Sequence, residues 1–265
     1  SLMNNGIDVT INGRIIDQPE LKFDMGINIS TYKNTLLSSS TDEDFYSLYG
    51  GLVRSKVGSS IAQFYGYQTN GIFTNTADAT AANLSIQHTD GTLVPFTAGD
   101  VRFVDRDNNH IIDSRDMTVI GDANPDFFGS VIAKLKWKQF TLDALMSYSV
   151  GNDIYNALRV QLESMSGTDN QTIAAVNRWR TDGQNATIPK LTYNDPMGNA
   201  RFSDRWLEDG SFMRLKTITL SYDINIKSTI INSAQAYVTG NNLLTFTKYL
   251  GYDPEFSISQ SPFSA

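Results

Sequence analysis

Apolar and polar residues alternate one by one through several long segments of the chain. In residues 139–150, Phe140, Leu142, Ala144, Met146, Tyr148 and Val150 share one phase, Thr141, Asp143, Ser147 and Ser149 share the other, and Leu145 is the exception. Residues 127–137 set Phe127, Val131, Ala133, Leu135 and Trp137 against Ser130, Lys134 and Lys136. Residues 22–32 set Phe23, Met25, Ile27 and Ile29 against Lys22, Asp24, Asn28 and Ser30, and residues 217–224 set Ile218, Leu220, Tyr222 and Ile224 against Thr217, Thr219, Ser221 and Asp223. Successive side chains of a strand point to opposite faces, so each segment reads as a strand with one apolar and one polar face. Residues 5–11, 61–69 and 234–244 carry weaker versions of the pattern.

Several of these segments run to about ten residues, where a strand of a soluble protein runs to about five or six. A tilted strand needs about 9–11 residues to cross a bilayer. Tyr32, Phe127, Trp137 and Tyr148 stand near segment ends, as aromatic girdles do at membrane interfaces. Connection lengths point the same way. Asp17–Glu20, Lys136–Gln139 and 225–233 are short, whereas 33–60, 70–125, 151–211 and the chain after about 245 are long. Outer-membrane barrels pair short periplasmic turns with long outer loops, and structureless loops beyond about 15 residues are uncommon in compact soluble domains. The expected fold is therefore all-β: antiparallel strands of a transmembrane β-barrel, a partial barrel, with long outer loops carrying short helices; a large soluble sandwich, whose strands also alternate and end in aromatics, is the alternative. If 33–60 and 70–125 are both outer loops, the single strand 61–69 ends on the wrong side, so a further strand is expected within 45–57. Ile154, Leu158, Leu162 and Met165 predict a helix over 153–165 with Asp153 as N-cap, and Ile173, Val176 and Trp179 a second over 171–180.

Composition narrows the function. The 265 residues include 21 basic and 28 acidic side chains, a net −7, so no basic surplus exists to neutralise phosphates and nucleic acid is not expected as a partner. Cysteine is absent, which removes disulfides, thiolate metal sites and thiol catalysis. His88 and His110 are the only histidines, too few for a multi-histidine zinc centre. No run of about 18 apolar residues is present, so no transmembrane helix is expected. The first residues lack a signal-peptide pattern, and the chain begins and ends as if within a longer protein, so a fragment is expected.

One loop has the spacing of a cation site. Asp105, Asp107, Asn109, Asp113 and Asp116 fall at positions 1, 3, 5, 9 and 12 of a calcium-type loop, with the backbone carbonyl of Ile111 at position 7. A hard cation takes six to eight oxygens, and a tight loop turns alternate side chains inward. Position 6, where glycine eases the turn, is His110. The competing reading is an Asx-rich turn closed by side-chain-to-backbone bonds. Asp204, Glu208 and Asp209 suggest a glycosidase pair, but neighbouring loop carboxylates are usually solvated, and no base, metal and nucleophile converge, so no enzymatic step is expected.

Four stretches resemble a known family. They are Gly99 to Asp116, Ile120 to Gly129, Ser203 to Lys216 and Gly240 to Glu255. In this order they resemble the C-terminal portion of SusC/RagA-type TonB-linked outer-membrane receptors of the Bacteroidetes. The resemblance implies a 22-stranded barrel with an N-terminal plug, placed in the lipid of the cell outer membrane. It implies a SusD-like lipoprotein as lid, TonB acting through the missing N-terminal part, and import of oligosaccharides or peptides. Residues 1–265 are then one piece of that receptor's wall and outer loops. Family members carry Asp-x-Asn-Gly-Asp-Gly in the acidic loop, with glycine where this chain has His110. Asn241-Asn242 and Asp253-Pro254-Glu255 match the family pattern and read equally well as turns. The rival reading is a soluble carbohydrate-binding β-sandwich with a structural calcium ion.

Overall fold

The computed structural model describes residues 1–226 and 233–255. In chain order its elements are β1 (Leu2–Asp17), β2 (Leu21–Leu36), β3 (Glu43–Leu48), β4 (Gly51–Lys56), β5 (Gln63–Tyr67), β6 (Thr69–Ile72), α1 (Thr76–Ala82), β7 (Ser85–Gln87), β8 (Leu93–Pro95), β9 (Val101–Phe103), β10 (Met117–Asp122), β11 (Phe127–Trp137), β12 (Phe140–Val150), β13 (Asp153–Tyr155), α2 (Ala157–Glu163), β14 (Leu207–Asp209), β15 (Phe212–Ile224) and β16 (Ala234–Thr247). They divide into two compact units. One comprises Ser1, Leu36–Ala123 and Ile154–Glu208; the other comprises Leu2–Thr35, Asn124–Asp153 and Asp209 onward.

The second unit is a single six-stranded sheet in the order β1-β2-β11-β12-β15-β16. Its register keeps the alternation in phase from strand to strand. Leu135 stands opposite Leu142 and Phe23, Ala133 opposite Ala144 and Met25, and Leu142 opposite Leu220. On the other face Lys134 stands opposite both Asp143 and Asp24. A slip of one residue would turn every apolar side chain to the wrong face, so the pattern specifies the register. Leu145, the exception in the sequence, stands opposite Ile132, which is itself opposite Gly26. The two make a small apolar pair on the polar face.

The strands are longer than the alternation indicated: β1 and β2 have 16 residues each, β15 has 13 and β16 has 14. Register shifts carry β15 and β16 past interruptions in their patterns. Between Leu145 and Met146 the partner strand skips Lys216, and between Leu215 and Thr217 it takes in two residues of β16. An extra residue in one strand lets the apolar phase resume after a break. Asn242 lies in that second bulge with φ +51°, so the Asn241-Asn242 pair is a bulge inside β16 and not a turn.

The antiparallel register puts Asp17–Leu21 and Trp137–Phe140 at one end of the sheet, and the connections β2 to β11 and β12 to β15 at the other. The predicted link 225–233 falls largely outside the described residues. The wall strand expected within 45–57 does not exist. Residues 45–57 form the β3–β4 hairpin, and 61–69 divides into β5 and the start of β6. β3, β4, β5 and β10 make a separate four-stranded sheet. Residues 37–126 are thus one excursion between neighbouring wall strands, and the parity closes without a missing strand.

The first unit is built from both excursions. Its core is Ile72, Phe73, Ala79, Leu84, Phe96, Val101, Phe103, Ile112 and Met197. Trp206 is fully buried and donates through its indole N–H to the Arg201 carbonyl (3.1 Å). Polar side chains tie the excursions together. Asp100, fully buried, takes Lys190 Nζ at 2.9 Å and Asn199 Nδ2 at 2.9 Å. Asp204 receives the Thr69 N–H and hydroxyl, and the Trp179 indole N–H donates to the Thr74 carbonyl. A buried carboxylate without such partners would be strongly destabilising.

Both helix expectations need correction. Asp153–Tyr155 is extended, and Asn156 caps α2 through its side-chain oxygen, accepting from the Arg159 N–H at 3.0 Å. α2 stops at Glu163, just before Met165 at φ +53°. Over 171–180 only a 3-10 turn forms, Ile173–Asn177. Helices this short hold through capping and packing rather than through propensity.

Gly99 shows how tight this unit is. Its φ is +86°, and a Cβ there would stand 2.4 Å from the Trp179 ring. Gly99→Ala combines left-handed strain of about 1–2 kcal/mol with overpacking of about 1–3 kcal/mol. The expected result is early proteolysis within 70–125 and 151–211, with the six-stranded sheet still protected in hydrogen exchange.

Candidate functional site

Two features qualify: the apolar face of the six-stranded sheet and the acidic loop.

The apolar face runs without a break across the sheet. From β1 it takes Ile7, Val9, Ile11 and Ile15; from the neighbouring strands Phe23, Ile27, Val131, Leu135, Leu142, Met146, Leu215, Leu220, Val238 and Leu244. It is not packed away: Ile11, Ile29, Trp137, Leu220, Val238 and Leu244 are all exposed. Aromatic side chains gather at both of its ends. At the tight-turn end Trp137 stacks on Phe140, with centroids 6.3 Å apart, and Phe140 packs on Tyr222 at 4.9 Å. At the opposite end Phe127 meets Tyr148 edge-on at 6.2 Å. Along β12, Phe140 and Tyr148 are eight residues apart, about 27 Å of strand. Tyr148 lies across Gly129 and donates to the Asn28 carbonyl at 2.9 Å; a Cβ on Gly129 would sit 2.7 Å from that hydroxyl. Tyr32 does not belong to this band. It shares the phase of Ser30 and packs edge-on against Phe128, on the polar face.

The acidic loop runs from Val104 to Asp116, with core residues just before it, Phe103, and within it, Ile112. Its backbone is closed by its own carboxylates. Asp105 accepts from the N–H groups of Asn109 (3.3 Å) and His110 (2.8 Å), and Asp107 accepts from the Asn109 side chain (2.9 Å). Asn109 Oδ1 accepts from the Ile111 N–H at 2.6 Å. Asp116, fully buried, accepts from the N–H groups of Arg106 (2.8 Å) and Asp113 (2.9 Å). His110 adopts φ +63° and Asn108 φ +57°, so the histidine takes the conformation that glycine would take more easily.

Three of the four predicted carboxylates converge. Ligand oxygens of Asp105, Asp107 and Asp116 all lie within 4.8 Å of one another. Asp113 is held apart by Arg115, whose Nη2 stands 2.7 Å from its Oδ2, and it caps the following 3-10 turn. Arg115 also reaches Asp107 at 3.5 Å. The Arg115 side chain and N–H hold the Asp113 carboxyl below the usual carboxylate range.

Asp204, Glu208 and Asp209 are not brought together as a catalytic pair. Asp204 binds Thr69, Glu208 accepts from Asn156 (3.1 Å) and Arg159 (3.0 Å), and Asp209 accepts from the Ser211 N–H (2.9 Å). Each has a structural partner of its own. Val176, Asn177, Arg180, Gln184, Asn185, Ala186 and Thr187 line a polar surface cleft of about 460 Å³.

Because Asp113 is depressed in the folded state, its contribution is present above the ordinary carboxylate value and is lost as pH falls through the lowered one. The Ser114–Asp116 cap should therefore persist at pH 5 and open only below about 4. Exchange of the Arg115 amide against pH measures this. Opening between pH 5 and 6 would contradict the assigned cause.

No family model matches the chain. It does align with curated proteins. The TonB-dependent receptor P3 of Formosa agariphila is 30% identical over 266 residues, covering 96% of this chain and 25% of the receptor. The TonB-dependent receptor SusC of Bacteroides thetaiotaomicron is 24% identical over 263 residues, covering 96% of this chain and 24% of that protein. The chain thus spans about a quarter of the length of the relatives it matches. Among solved structures, the RagAB peptide transporter superposes with TM-score 0.74 at 24% identity, over 96% of this chain and 27% of the other. The closed-closed state of the RagAB peptide importer gives 0.71 at 23%, again over 96% and 27%.

Proposed function

We propose that this chain, a homologue of SusC-type TonB-dependent receptors, forms part of the barrel wall and outer loops of a nutrient importer in the cell outer membrane. The observation that carries this is the unbroken, exposed apolar face of six wall strands, bordered at both ends by aromatic side chains. Lipid is the solvent that such a face suits, and a strand sheet crosses lipid only as part of a closed barrel. β1 and β16 end the sheet. The rest of a receptor would pair with them, since open strand edges are costly in lipid. The relatives are receptors, not enzymes, and this chain is not an enzyme. A β-sandwich is disfavoured, because the second unit is one sheet and a sandwich needs two packed inner faces.

Several finer statements belong to the same proposal. Residues 1–265 are the C-terminal part of the receptor wall. The end bearing the two long excursions faces outward, where a SusD-like lipoprotein docks as a lid. TonB acts through a part of the receptor outside this chain. The cargo is an oligosaccharide or a peptide, and peptide transport is what the RagAB structures are described as serving.

Asp105, Asp107 and Asp116 suit a hard divalent cation. Calcium would offset the repulsion of three close carboxylates, one of them fully buried, with Asn109 and the Ile111 carbonyl as further oxygens. Asp113 joins the set only by leaving Arg115.

The membrane reading is tested in the full-length receptor. Leu142→Arg at mid-strand should cost about 2–4 kcal/mol in urea unfolding from lipid vesicles. Thr219→Arg, on the polar face, should stay within about 0.5 kcal/mol of the parent. Equal losses from both would refute the assignment of faces.

Calcium binding is tested by titration of the same receptor after chelation. Binding should disappear in Asp116→Asn, and a crystal grown with calcium should show oxygens at about 2.3–2.6 Å. Unchanged heat of binding in Asp116→Asn would remove the site, leaving an Asx-rich turn.

A further inference from the structure

Two of the motifs singled out in the sequence meet on the polar face of the sheet, and the proposed function does not account for their meeting. Arg214 and Lys216 belong to β15. Arg214 stands opposite Ser147 and Thr245, in the polar phase, and its side chain is only 9% exposed. Its partners come from beyond the end of β16. Arg214 Nη2 binds Asp253, and Nη1 lies 3.0 Å from Glu255 Oε2. Lys216 donates to both oxygens of Glu255, at 2.7 and 2.5 Å. Asp253 also accepts from the Glu255 N–H at 2.8 Å, which closes the Asp-Pro-Glu turn, and the Arg214 side chain holds its carboxyl below the usual range.

Further contacts lie on the segment between. Thr247 donates to the Ser211 carbonyl at 2.9 Å and accepts from the Tyr249 N–H at 3.1 Å. The Tyr249 ring lies over Gly251, where a Cβ would stand 2.3 Å from it. Two cations on the wall thus hold two carboxylates on the segment. Charge-assisted pairs of this kind, one of them on a nearly buried guanidinium, hold geometry where exposed surface pairs do not. Apolar groups on the same segment are left in the open: Leu250 is 73% exposed and Tyr252 96%. An exposed aromatic flanked by neutralised carboxylates offers contact area to a passing solute at little entropic cost.

We propose that Lys248–Glu255 is a strap latched across the polar face of the wall, with Arg214 as the positioning residue that holds Leu250 and Tyr252 out on the channel side. The inference rests on the reading of that face as the lumen. Arg214 and Lys216 hold the far end of the strap, and Thr247 holds its start.

The test uses the full-length receptor in lipid vesicles with a nitroxide on Tyr252→Cys, this chain having no other cysteine; cysteines elsewhere in the receptor are first replaced. A water-soluble nickel chelate should relax the label more than oxygen does. Arg214→Gln should speed its motion several-fold, while Arg214→Lys keeps most of the restraint. Mobility unchanged in Arg214→Gln, with relaxation still by the chelate, overturns the latch and leaves the receptor reading standing. Relaxation mainly by oxygen places the strap on the lipid side, and then both the latch and the assignment of faces fall. Equal release by Arg214→Lys and Arg214→Gln also overturns the proposal, because it shows general damage to β15 rather than loss of a charge pair.

Discussion

The structure depends on the register between neighbouring wall strands. Backbone hydrogen bonds fix which residues stand opposite one another, and the two-residue repeat then assigns every side chain to a face. In this sheet apolar meets apolar from β2 through β16, and Lys134 meets Asp143 and Asp24 behind them. Where the sequence breaks step, the backbone absorbs the break. The bulges at Lys216 and at Asn242 restore the phase after an interruption, so one apolar surface survives six strands. That surface is what makes the molecule a candidate for lipid.

The two excursions answer a different constraint. Their own strands are short, so they build a small core of Phe73, Phe96, Phe103, Ile112 and Trp206 and lock it with buried polar contacts. Asp100 with Lys190 and Asn199, and Asp204 with Thr69, join segments at least ninety residues apart. Carboxylates that resemble catalytic acids in the sequence are spent here as structural acceptors. A carboxylate that takes backbone N–H groups or a guanidinium at close range stabilises a turn or a junction, and it leaves no partner free for proton transfer.

The acidic loop lies between these two behaviours. Asp105, Asp107 and Asp116 are drawn together while still closing the loop's backbone, and Asp113 is diverted to Arg115. His110 sits at φ +63°, so the loop reaches the geometry that glycine favours, at a strain of about 1–2 kcal/mol. The substitution therefore bears on the energy of the turn rather than on whether the turn can form.

Local pattern was enough to pick out the four central strands of the wall. Period-two alternation in 22–32, 127–137, 139–150 and 217–224 names those strands and their faces, because a strand's side-chain direction is set by the residue's own place in the repeat. The spacing of the acidic residues likewise located the loop. What only the tertiary structure decided is everything that depends on distant partners. Residues 61–69 carry a weak strand pattern, and parity places a strand within 45–57, yet these segments pair with each other, since a strand pattern says nothing about which sheet a strand joins. Asp153 reads as a cap until Asn156 is seen to take that role. Asp253 and Glu255 read as a turn until Arg214 and Lys216, thirty-nine residues earlier, are found beneath them. Register within a strand is written in neighbouring residues, whereas ion pairs and sheet membership are chosen by chain segments that meet only when the fold has formed.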